Sequence, residues 1–287
     1  MRYKWGWPWV LCLVMGLGCA GPAKTGVDLQ GKAVDLNDSG YQYYRQGRWN
    51  LAQEKFAQAL KYNRLIDRRL GIASNLNNLG VIAQGQGHPD QALAYFQEAL
   101  ALSRELGDPA ALSETLNNLG VAHQDQGRES AAAAAFQEAL EQARQLPPGP
   151  LLALSLTHLG DVARGRRDYD LALSYYHQAL MVDQGRKDAR GRALRWERLG
   201  RTFLDLQDCE RAGVYLHDAL REFRRLEDTD GIAETLKDLT RLALARGDRQ
   251  EAMRHGKLLW EIYQARGQEQ EAKKLDELLK RTGSSEQ

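Results

Sequence analysis

The chain is poor in the residue types that most chemistry needs. Among its 287 residues are three cysteines, and its six histidines stand singly at His88, His123, His158, His177, His217 and His255, none in an HExxH or other ligand cluster. His177 and His217 match in spacing and read as a surface pair. No Walker loop or GxSxG elbow is present, so the sequence offers no enzymatic constellation and no cofactor site. The 39 basic and 38 acidic residues nearly cancel, which removes the overall field that would draw nucleic acid. Seven prolines are few, and that suits long unbroken helices.

The first twenty residues follow their own pattern. Arg2 and Lys4 precede the apolar run WGWPWVLCLVMGLG, and Cys19 follows. The run contains Pro8 and is shorter than the ~20 residues of a spanning helix, which favours a signal peptide over residues 1–18. GLGCAG resembles a bacterial lipobox, with Gly16 and Leu17 in the reverse of the usual order. The resemblance implies a lipid on Cys19 and a membrane anchor, ordinary secretion and an uncleaved anchor being the alternatives. Ala20 after the cysteine implies an outer membrane facing the periplasm. Residues 19–34 then read as a lipidated tether. With Cys12 removed and Cys19 acylated, Cys209 is the one thiol left and no intrachain disulfide can form. Asp208 and Glu210 flank it and do not favour a thiolate, so an inert, half-buried thiol is expected.

What the chain has in abundance is self-similarity. SNLNNLGVIAQGQG starts at Ser74, and ETLNNLGVAHQDQG starts forty residues later at Glu114. Stepping by forty from Gly40 gives Gly80, Gly120, Gly160 and Gly200, then Thr240. Twelve residues beyond each stand Ala52, Ala92, Ala132, Ala172, Ala212 and Ala252; sixteen beyond stand Phe56, Phe96, Phe136, Tyr176, Leu216 and Gly256. Alanine, ring and alanine at 0, +4 and +7 mark one helical face, and each unit reads as two helices. The first helix ends near Gly47, Gly87, Gly127 or Gly247, where a left-handed residue is cheap. Asp108 with Pro109, and the segment around Asp230, read as helix starts.

This pattern resembles the tetratricopeptide repeat over residues 35–267, in the long forty-residue form of the Pins adaptor and of kinesin light chain. The resemblance implies an all-α fold, a right-handed superhelical solenoid of six helix-turn-helix units with a concave inner groove. Residues 268–282 read as a capping helix with Ala272, Leu275, Leu278 and Leu279 inward, and 283–287 as a loose tail. By the same resemblance, positions two and three before the glycine, and one and four after it, face the groove. That nominates Asn77, Asn78, Gln84, Asn117, Asn118 and Gln124, whose amides both donate and accept, as a peptide-binding row over units two to five. Bonding to neighbouring helices or water is the competing account.

Further on, His158, Arg164, Arg198 and Arg201 are nominated for the groove, with Arg190 on the same stripe. A basic stripe suits an acidic ligand segment. A solvated face paired with its own Asp161, Asp188 and Glu197 is the competing account. The expected function is a protein-binding scaffold held at the bacterial envelope, an arrangement similar to the pilotins of type IV pili. A soluble sensor of a short signalling peptide and an accessory subunit that recruits an envelope enzyme are the alternatives.

Overall fold

The computed structural model describes residues 28–283; the expected signal peptide, Cys19, the first part of the expected tether and the last four residues lie outside them. Thirteen α-helices and no strand occupy the described residues. They are α1 (Leu29–Arg45), α2 (Trp49–Leu65), α3 (Arg69–Gly85), α4 (Pro89–Leu106), α5 (Pro109–Asp125), α6 (Glu129–Ala143), α7 (Pro150–Gly165), α8 (Tyr169–Gly185), α9 (Ala189–Asp205), α10 (Cys209–Arg225), α11 (Thr229–Ala245), α12 (Arg249–Ala265) and α13 (Glu269–Gly283). Paired as consecutive hairpins, they form the solenoid that the repeat implies. The first helix starts earlier than expected: Asp28 caps α1 by accepting from the Gly31 backbone N–H at 2.8 Å, so residues 29–34 are helical.

One turn design joins almost every helix to the next. A single residue takes positive φ, and the next residue closes a 6→1 bond back to the helix. At Gly87 (φ +78°), Gly87 N–H donates to Gln84 and His88 N–H donates to Ala83. This is a Schellman closure, which satisfies the carbonyls that a helix end leaves open. The left-handed residue recurs every twenty residues, so each helix with its turn is half a unit. In several turns the residue after it is an aspartate that caps the following helix, as Asp188 and Asp248 do. At α11 the cap is Asp228, not Asp230. Position 147 breaks the series, because proline holds φ near −65°. There α6 ends at Ala143 and the chain passes through Pro147 and Pro148 to Gly149.

Five turns place a side chain at positive φ: Asp67, Arg167, Lys187, Gln207 and Glu227. Glycine at Lys187 should therefore stabilise the chain by about 1 kcal/mol, reduced by the freedom glycine gains when unfolded. An unchanged or lower urea midpoint for Lys187→Gly is the contrary result.

Packing between the two helices of a unit explains the invariant spacing. A Cβ built on Gly80 or Gly120 would lie 2.5 or 2.4 Å from Phe96 or Phe136 in the same unit. Each glycine gives up its side chain so that the ring sixteen residues further on can approach its backbone closely. Unit six exchanges the two sizes: Thr240 takes the glycine place and Gly256 the ring place. The gap at Gly256 is filled from α13 by Leu279. That helix packs on α12 as each odd-numbered helix packs on the one before it, burying Ala272, Leu275 and Leu279. Leu278 was expected inward but is 42 % exposed, because it lies a third of a turn from that face.

Curvature follows from which helices meet. Along the stack α3 touches α5, α5 touches α7 and α9 touches α11, whereas successive second helices do not pack on one another to that extent. The first helices therefore form the inner wall.

Candidate peptide-binding wall

The inner wall has a side-chain register of its own. A residue one place after a glycine meets the residue two places before the next unit's glycine. Tyr41 Oη donates to Asn78 Oδ1 at 3.0 Å, Arg198 Nε lies 3.1 Å from Asp161, and Arg201 Nε donates to Asp238 Oδ2 at 2.7 Å. The residue four after the glycine meets that five after the next, as in Gln84 with Asp125 and Arg164 with Asp205. These are the positions nominated for ligand contact, and on this wall they also join unit to unit.

In units one to four the bonds are made by amides. Asn78 accepts from Tyr41 and donates to Asn37 at 3.3 Å, and Asn75 donates to the same Asn37 oxygen at 2.9 Å. Asn77 donates to Glu114, and its oxygen accepts from Asn118 at 3.0 Å. Asn117 is 1 % exposed and donates to the Ser113 carbonyl and the Ser155 hydroxyl, each at 2.9 Å. Asn77 and Asn78 are also buried, while Asn118, Gln84 and His158 are half-buried and Gln124 is exposed. Of the two asparagines in each pair, the second is the more exposed, and in unit three it leaves the buried range. His158 stacks on Phe136 with ring centroids 4.5 Å apart. Burial pushes its imidazole down to about 4, so the ring is neutral and reads as packing surface.

From unit four onward charge replaces the amides. Tyr176 Oη donates to Asp161 at 2.7 Å, and Arg198 links Asp161 to Glu197. Arg201 then links Glu197 (2.5 Å) to Asp238 (2.7 Å), Arg241 links Asp238 to Asp205 (both 3.3 Å), and Arg164 closes on Asp205 at 2.8 Å. Arg201 also meets Glu234 at 3.2 Å, which Lys237 shares at 3.8 Å, so five cations and five carboxylates from three units balance within the wall. Arg190 pairs with the cap Asp228 at 2.6 Å, outside this chain of contacts. The expected partner Asp188 instead caps α9 and lies 3.6 Å from Arg186. The arginines nominated as readers of an acidic ligand are engaged within the wall itself. Glu197 is 3 % exposed, and burial outweighs Arg198 and Arg201 to push its carboxyl up to about 7, with facing Asp238 adding to the rise.

The sequence reading passed over the apolar members of the wall. Val34, Tyr41 and Leu154 are each more than a third exposed, with Val81 and Val121 at the position of Tyr41 in the next two units. Their spacing of +1 and −6 from the glycine was the available signal. Among the described residues no three His, Cys, Asp or Glu side chains gather as a metal site, and no helix is long and apolar enough to cross a membrane. Cys209, a free and half-buried thiol, opens α10.

Comparison with known proteins agrees with this architecture. The family model described as tetratricopeptide repeat matches residues 34–105 and 111–184, just over half of the chain. BtubC (BKLC) from P. vanneervenii superposes with a TM-score of 0.62 at 22 % identity, over 84 % of this chain and 93 % of that one. The pilF protein of Pseudomonas aeruginosa gives 0.58 at 20 % identity, over 82 % and 93 %. A Rap protein complexed with competence and sporulation factor gives 0.68 at 14 % identity, over 91 % and 77 %. No curated protein matches the chain.

Proposed function

Since this chain belongs to the tetratricopeptide repeat family, we propose that it is a protein-binding adaptor whose inner wall receives an extended peptide across units one to four. The observation that supports this reading is the contrast between the two halves of the wall. In the C-terminal half the charges are balanced against one another, and a ligand would have to break ion pairs to compete for them. In the N-terminal half Val34, Tyr41 and Leu154 keep apolar surface open beside half-buried amides. Apolar pockets with a few placed polar groups are what an extended peptide needs, the amides for its backbone and the pockets for its side chains. The stacked hairpins keep the wall preformed, so little ordering cost falls on the protein when it binds.

The adaptor works at the bacterial envelope, held by a lipid on Cys19, in this proposal. The carrying feature is the leader with its GLGCAG junction. Metabolic labelling with an alkynyl fatty acid should mark the native protein and leave Cys19→Ser unmarked. An unlabelled native protein, or its release into buffer without detergent, would point to a secreted sensor, and label retained by the serine variant would place the lipid on another residue.

For the wall, in-cell crosslinking identifies the captured partner first. The double variant Val34→Glu/Leu154→Glu, both sites being exposed, should keep its helical circular dichroism and lose about tenfold or more in capture of that partner. Undiminished capture moves the site to another surface.

A further inference from the structure

In unit six the packing rule of the stack is not met among the described residues. In units one to five a leucine twenty residues after the glycine position, Leu60, Leu100, Leu140, Leu180 or Leu220, is buried. In four of these units its buried cluster includes two neighbours. One is the first helix of the next unit. The other is a residue of the next second helix: Ala99 shares a cluster with Leu60, Ala139 with Leu100, Ala179 with Leu140 and Leu259 with Leu220.

Unit six has Trp260 at that place. Its first cover exists, because α13 lies on α12 as a next first helix. Its second cover is absent among the described residues. Trp260 is 41 % exposed, and Met253, two turns earlier on the same face, is 54 % exposed. With Gly256 between them and Leu279 across from them, they floor a groove of about 600 Å³ between α12 and α13. Arg254 and Lys257 line it as well, and neither has a hydrogen bond or ion pair among the described residues. Its acid, Asp276, is already paired with Lys280.

We infer that this groove docks an amphipathic α-helix of a partner protein, seated where the second helix of a seventh unit would lie. The helix sets small residues and a ring against Met253 and Trp260, and its carboxylates face Arg254 and Lys257. The register of the stack sets the shape, since in four earlier units the matching leucine shares its cluster with a residue of the next second helix. The uncommitted cations fix the charge. A second copy of the chain fits poorly, because each folded second helix already buries its alanine-and-ring face in its own unit, as Ala52 and Phe56 do.

The probe is a labelled, end-capped peptide copying α6, Glu129–Ala143, which carries Ala132, Phe136 and Ala139 on one face and three glutamates with no cation. Fluorescence anisotropy with the full chain should show saturable binding, with Kd on the order of 10–100 µM because so short a helix must be ordered on binding. Trp260→Glu, and separately Arg254→Glu/Lys257→Glu, should each weaken it about tenfold or more while circular dichroism stays unchanged. A peptide with lysine in place of its glutamates should recover binding to the second variant. Absence of saturable binding, or equal binding by both variants, overturns the proposal. So does a concentration-dependent dimer in light scattering that Trp260→Glu abolishes, which assigns the groove to a second copy. Retention on phosphatidylglycerol vesicles that the peptide cannot displace and Trp260→Glu removes assigns it to lipid, and also overturns the proposal. The Val34→Glu/Leu154→Glu variant should bind the α6 peptide normally, which separates failure here from failure of the inner-wall proposal.

Discussion

Truncating Phe136 to alanine should destabilise the chain by about 4 kcal/mol, and adding one methyl group opposite it, at Gly120, should cost about 1–2 kcal/mol. The first figure is the usual loss for a fully buried ring, and Phe136 is 0 % exposed. The second sets two effects of opposite sign against each other. Alanine is the better helix former by about 1 kcal/mol in a helix interior. Its methyl carbon would sit 2.4 Å from Phe136 Cε1, with two further ring atoms inside 3 Å. A ring wedged between neighbouring helices has nowhere to go, so overpacking, at up to about 3 kcal/mol, wins.

Gly185 supplies the control, since nothing lies within 4 Å of its Cβ position and alanine there should be neutral or stabilising. In the double variant Gly120→Ala/Phe136→Ala the methyl group meets a void, so its cost should vanish and the two changes should be less than additive by about 1 kcal/mol or more. Urea unfolding of the native protein and these four variants measures all of this. A stabilising Gly120→Ala, or simple additivity, contradicts the packing account.

Replacing Arg201 by methionine should cost about 3 kcal/mol at pH 8, because it takes from two buried carboxylates, Glu197 and Asp238, the guanidinium they share and leaves each with one remaining arginine, Arg198 or Arg241. The same change at Arg190 should cost less than about 1 kcal/mol, since its side chain is 61 % exposed. The pH dependence has a definite sign. Glu197 titrates at about 7 in the folded chain against an ordinary 4.5, so the folded state holds this proton more tightly than the unfolded one. Its contribution to stability is fullest below 4.5 and declines as pH rises toward 7.

Without Arg201 the carboxyl loses one of its two attractions and rises further. The deficit of Arg201→Met should therefore be largest at pH 8 and shrink by pH 5.5. His158 acts in the opposite sense: held neutral down to about 4, it costs stability as pH falls from 6.5 to 4. It does so in the native and variant proteins alike, so it cancels from the difference. A deficit that is the same at both pH values would refute the role given to the Glu197–Arg201–Asp238 contact.

Much of this molecule can be read without coordinates. A glycine, an alanine and a ring at fixed offsets, repeated every forty residues, leave little choice but stacked hairpins, because each unit needs its neighbour to cover its apolar face. The doubled asparagines show where such reading stops. Asn78 and Asn118 occupy equal places in near-identical phrases, yet Asn78 is buried between Tyr41 and Asn37 while Asn118 stays half-exposed. The difference lies in which residue the preceding unit offers, Tyr41 or Val81, forty residues away. The arginines show it again. Beside Asp161 and Glu197 in sequence they could have been a basic stripe, and only the stacking of three units brings Asp205 and Asp238 to them.

The sequence alone thus determined the helices, their period and the close approach of small residue to ring, since these follow from spacing within one unit and are copied to the next, while the surface that turns inward was implied by the family resemblance. Tertiary structure decided which inward side chains remain available. Their partners come from the neighbouring first helix, at a register of about a turn off the forty-residue period, and hydrogen bonds and ion pairs depend on distances that no spacing along the chain encodes. It also left Trp260 41 % exposed at the position where Leu60, Leu100, Leu140, Leu180 and Leu220 are buried.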